Sequence, residues 1–213
     1  MNRSVRTFAL ILTAPALLSL AACGGGDAEE NGTADSTTVS AAPAAPAPMA
    51  APAADSGAQA GTVTDPQIAA IVVAANAVDS AGGELALQKG INARVKEFAT
   101  RMVTDHGGVN KQAVALVQRL NVTPEENATS RQLTQGGEQA RQQLSGLSGA
   151  AFDRGYIDNE VEYHQTVLQA IDNTLIPSAQ NAELKTLLQQ VRPAVQAHLQ
   201  LAQEIQRELQ GAQ

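Results

Sequence analysis

The chain has 213 residues, no tryptophan and 2% aromatic residues, so any core must come from Ala, Leu, Val and Ile, a composition that suits close-packed helices better than a sheet. The net charge is -7. Two of the 14 Lys+Arg, Arg3 and Arg6, fall in a leader-like segment, so a processed chain would stand near -9. That acidity, without a basic cluster, excludes nucleic acid as a natural partner, and one cysteine excludes an internal disulfide or a cysteine-rich metal site.

Residues 1–22 read as a secretory signal: Arg3 and Arg6 precede an apolar run from Phe8 to about Leu20, too short to span a bilayer comfortably. Leu20-Ala21-Ala22-Cys23 resembles the lipobox of bacterial lipoproteins, which implies cleavage before Cys23, lipid on its sulfur and a chain anchored to a membrane. Gly24, rather than Asp, follows, which in enterobacteria-like sorting implies the outer membrane, facing the periplasm. Residues 23–62 are rich in Ala, Pro, Gly, Ser and Thr and predict a disordered, lipid-anchored stalk with polyproline character over Ala41–Pro52.

A helical domain is expected over 63–211. Thr64-Asp65-Pro66-Gln67 predicts a helix start, and Ile68, Ile71, Val72, Ala75, Val78 and Leu85 recur at helical spacing up to Gly90, with a weak point at Gly82-Gly83. A second helix spans about Asn92 to Leu120, with the stripe Ile91, Val95, Phe98, Met102, His106, Val109, Ala113, Leu116, Leu120 and a kink allowed at Gly107-Gly108. Thr123-Pro124-Glu125-Glu126 has the pattern of a capping box opening a polar, Gln-rich third segment interrupted by Gly136-Gly137. Ser148 is the expected cap of the next long helix, striped Phe152, Tyr156, Ile157, Val161, His164, Leu168, Ile171, Leu175 and stopped by Pro177. The last carries Leu184, Leu188, Val191, Val195, His198, Ala202, Ile205 and Leu209, with a kink expected at Pro193. Four long amphipathic helices with a longer middle connection describe an all-α four-helix bundle.

Three segments carry a resemblance: Glu84-Leu85-Ala86-Leu87 leading to Arg101-Met102-Val103-Thr104-Asp105-His106; Phe152-Asp153-Arg154-Gly155-Tyr156 leading to His164; and Pro193 leading to His198-Leu199. Together they resemble the bacterial domain of unknown function 4142 family of predicted outer-membrane proteins, over about Asp65 to Leu209. The resemblance implies a ferritin-like bundle and no established activity.

The chain has three histidines, His106, His164 and His198, each on the apolar stripe of a different long helix. With about 40% of positions on a stripe, chance would place all three there about 6% of the time. Buried imidazoles need partners for both nitrogens, so the core must hold a carboxylate, a tyrosine, water or a metal. Measured down the helices from the turns, His106 and His164 share a level, while His198 falls too far along its helix to join them. The residue three before each histidine is Val103, Val161 or Val195, so the Glu-x-x-His pattern of di-iron bundles is absent. A simpler transition-metal site would use His106, His164 and Glu84 or Glu160. Without metal, His198, Tyr156 and Asp105 are candidate polar partners in the core. No nucleophile elbow or phosphate loop is present. The sequence therefore favours a non-enzymatic, lipid-anchored domain that binds an envelope protein or other envelope material; the alternative is a metal-binding or metal-storing ferritin-like protein.

Overall fold

A computed structural model describes residues 63–211. The leader, Cys23 and the stalk fall outside this range. Among the described residues all regular structure is helical: α1 Asp65–Lys89, α2 Ala93–Arg119, α3 Ala128–Ser145, α4 Gly149–Ala170, a π-helical turn Ile171–Leu175, α5 Ile176–Ser178 and α6 Ala182–Gly211. It is the expected all-α bundle. Two antiparallel hairpins, α1–α2 and α4–α6, are joined by α3, which runs back along the bundle as the crossover.

Two aspartates hold the short turns from across the bundle. The Asp153 carboxylate, at the start of α4, accepts the Ile91 and Asn92 N–H groups of the α1–α2 turn at 3.1 and 2.9 Å. Asp65, at the start of α1, accepts the Gln180 and Asn181 N–H groups before α6 at 2.9 and 2.8 Å. Asn92 and Asn181 then cap α2 and α6, each side-chain oxygen accepting two first-turn N–H groups.

Several local expectations change. α3 starts at Ala128, not at Thr123–Glu126. Asn127 and Ser130 form its capping box, while the Glu125 N–H donates to the Pro66 carbonyl and ties the loop to α1. Ser148 sits at the start of α4 but makes no capping bond through its side chain. Pro177 does not stop the helix; the chain remains helical through the π turn to Ser178. The glycine pairs interrupt no helix. Gly137 instead lets α3 approach α1, since a Cβ there would stand 2.5 Å from Val78 Cγ1.

The apolar core lies in two parts. One holds Ile68, Ile71, Val72, Leu116, Leu133, Ile171, Leu184 and Leu188; the other holds Val95, Phe98, Met102, Leu144, Phe152, Tyr156, Ile157 and Ile205. Along every long helix the break between them falls at polar residues: Asn76 and Asp79 on α1, His106 on α2, Glu160 and His164 on α4, His198 on α6. All six are buried.

Candidate metal centre

This polar layer brings the three histidines into one cluster. The ring centroids of His106 and His198 are 5.1 Å apart, those of His164 and His198 5.5 Å, and those of His106 and His164 5.6 Å. The expectation that His198 lies too far away is corrected. It rested on counting helical rise straight from Pro177, whereas the helix runs on to Ser178 and α6 begins only at Ala182. Counted from those ends, His164 lies about 21 Å and His198 about 24 Å from the same turn, at 1.5 Å per residue.

Each imidazole commits one nitrogen to an oxygen. His106 Nδ1 donates to Asn76 Oδ1 at 2.9 Å, and the amide orientation is set because Asn76 Nδ2 donates to the Val72 carbonyl at 2.7 Å. His198 Nε2 donates to Asp105 Oδ2 at 2.9 Å. His164 Nδ1 donates to the Glu160 carbonyl at 3.0 Å. These acceptors select the tautomers and leave His106 Nε2, His198 Nδ1 and His164 Nε2 as bare lone pairs.

The three lone pairs point into one space. His106 Nε2 is 3.2 Å from His198 Nδ1 and 3.2 Å from Asp79 Oδ2; His164 Nε2 is 3.6 Å from the same oxygen. His106, held down to about 2 by burial and by its two histidine neighbours, is neutral, so its contact with Asp79 is no ordinary ion pair. Burial likewise lowers His198, against the pull of Asp105. Burial pushes Asp79 well up, partly offset by His164, and pushes Glu160 up to about 7.

Four buried polar atoms at this level have no hydrogen-bond partner: Asp79 Oδ1, Glu160 Oε2, His164 Nε2 and the Tyr156 hydroxyl. Unpartnered buried polar groups are costly, and where carboxylate oxygens and an imidazole nitrogen face one another, protons or a cation are called for between them, the Tyr156 hydroxyl being the one donor of the four. The candidate ligand atoms fall into two overlapping groups, each with its atoms within 4.8 Å of one another: His106, His164 and His198, and Asp79, Glu160 and His164.

Of the residues singled out in the sequence, the structure unites His106, His164 and Glu160, adds His198, and gives Asp105 the role of orienting His198. Glu84 is exposed and takes no part. Five residues from Asp79, it lies about 140° round α1 at 3.6 residues per turn. Tyr156 is fully buried but its hydroxyl partners no histidine; burial and the neighbouring Glu160 and Asp79 raise its pKa well above the usual phenol. Asp79 and Asn76 are missed by a reading that follows only apolar residues. The available signal was register: Asn76 and Asp79 continue the Ile68, Val72 face of α1 by steps of four and three.

The family described as a domain of unknown function, DUF4142, matches residues 48–205. No curated protein and no solved structure matches the chain.

Proposed function

We propose that this chain, which belongs to the DUF4142 family, binds a divalent transition-metal ion at mid-height in its bundle through His106 Nε2, His164 Nε2, His198 Nδ1 and Asp79. The observation behind this reading is the orientation of the imidazoles, each tied by one nitrogen to an oxygen acceptor, with the free nitrogens of His106 and His164 beside the Asp79 carboxylate and that of His198 beside His106. Metal-ligating histidines have this arrangement, with the outer hydrogen bond fixing tautomer and ring angle. Metal–nitrogen bonds of about 2.0–2.1 Å in a tetrahedron set ligand atoms about 3.3 Å apart, beside the 3.2, 3.2 and 3.6 Å found here. Three imidazoles and a carboxylate suit zinc, nickel or copper better than magnesium or calcium.

The role that fits is non-enzymatic uptake or holding of the ion. The lipobox at Cys23 and the stalk motivate placing it on a membrane-anchored domain facing the periplasm. The test is elemental analysis of the chain purified without chelator, with zinc titration of the stripped protein. About one ion per chain is expected, with a gain in stability that reaches about 2.7 kcal/mol at a hundredfold excess over Kd. A His106→Ala, His198→Ala double variant should lose both. A wild type that holds no metal and gains no stability from zinc, nickel or copper overturns the reading.

A further inference from the structure

Beside the polar layer lies a cavity of about 70 Å³ with almost wholly apolar walls. Ile71, Leu133, Val167, Ile171, Leu188 and Val195 line its body, and Asp79, His106 and His198 form part of its lining. His164 is not part of the lining, so the cavity meets the cluster at Asp79, His106 and His198. Asp105 on α2 and Ala194 on α6 also line it and are exposed, which opens it to solvent between these helices.

A π turn and a proline within a helix border this space. The π turn Ile171–Leu175 contributes Ile171 and Leu175 to the wall, and facing it α6 carries Pro193 next to Ala194 and Val195. Both features loosen regular packing, and π turns recur at functional sites. They are tied together by Arg192, whose Nε and Nη2 donate to the two Asp172 carboxylate oxygens at 2.6 and 2.8 Å.

We propose that this cavity is a ligand pocket for a small amphiphile: a compact apolar body of a few carbons in the cavity, and a single metal-ligating head, such as a thiol, on the ion at the cluster. The inference rests on the metal reading above. The head reaches the ion from the lining residues Asp79, His106 and His198, adding one ligand, an expansion that zinc sites allow. Asn76, Asp105, Thr129, Tyr163 and Thr166 also line the cavity, but none of them offers the ion, so a metal-ligating head is drawn to the cluster and affinity grows with apolar contact.

The probe is a series of straight-chain thiols from ethanethiol to hexanethiol, added to the full chain loaded with cobalt(II). Thiolate binding to cobalt, its proton released to buffer, gives a near-ultraviolet charge-transfer band that reports the head directly. Affinity should rise about fourfold per methylene, the equivalent of 0.8 kcal/mol, until the chain outgrows the cavity, and then level off or fall. Ala170→Leu, which adds bulk to the lining, should bind cobalt like the wild type but lose the chain-length dependence. Cobalt binding without a thiolate band, or a band with the same affinity for every thiol, overturns the inference and leaves the metal reading standing. Failure to bind cobalt removes both.

Discussion

Asn76 Oδ1 and His106 Nδ1 meet at 2.9 Å across the α1–α2 interface, and the Asn76 amide is oriented by its own bond to Val72. Asn76 thereby decides which His106 nitrogen faces Asp79. Removing it with Asn76→Ala frees the ring to turn or to change tautomer. Zinc affinity should fall about 10–100-fold, the usual effect of losing such a support, with helical circular dichroism unchanged. Asp105→Ala should act the same way through His198. Affinities within twofold of the wild type would show that these bonds orient nothing.

The buried Glu160 carboxyl sets a pH dependence in the metal-free protein. Its folded pKa is raised from 4.5 to about 7 by burial. The folded state therefore holds the proton more tightly than the unfolded one, and the contribution to stability is full below 4.5 and lost as pH rises through 7. Moving a carboxyl this far corresponds to roughly 3 kcal/mol at 1.36 kcal/mol per pH unit. With chelator present, the stability of wild type relative to Glu160→Gln should decline by about that amount between pH 4 and pH 8. Urea unfolding at fixed pH values measures it, and a flat difference would contradict the assignment of a protonated buried carboxyl.

Asp153 and Asp65 make the same pair of bonds at opposite ends of the bundle but differ in exposure. Asp153 is 1% exposed. Asp153→Ala leaves the Ile91 and Asn92 N–H groups without their acceptor and should cost about 1.5–3 kcal/mol, the range for bonds to a charged group. Asp65→Ala should cost less, because water replaces the carboxylate at a half-exposed turn. Chemical denaturation orders the two.

Two glycines give opposite signs on substitution by alanine. A Cβ at Gly137 runs into Val78, so Gly137→Ala should destabilise by about 1–3 kcal/mol through overpacking. A Cβ at Gly108 meets nothing within 4 Å in the interior of α2, so Gly108→Ala should stabilise by about 0.5–1 kcal/mol. Thermal unfolding of both gives the two signs, and the Gly137 value checks the close approach of α3 to α1.

The proposed anchor rests on Leu20-Ala21-Ala22-Cys23. Cys23→Ser should abolish metabolic lipid labelling and leave the chain unprocessed or released from membranes. Undiminished labelling would place the lipid elsewhere or exclude it.

The helices were legible in the sequence because burying one face of a helix writes a repeat of three and four residues: Val95, Phe98, Met102 and His106 announce α2 without any knowledge of its neighbours. The same repeat put all three histidines inside. Which polar groups they meet was not legible, because that depends on how helices slide along and turn about one another. Residues spent in the turn before α6 set the height of His198, and a few residues round α1 separate buried Asp79 from exposed Glu84. Glu160 was readable from its spacing to His164 on one helix, a local relation. Asp79, Asn76 and the cavity were decided only by packing, since each is defined by distances between helices far apart in the chain, and periodicity along one helix carries no information about the register of another.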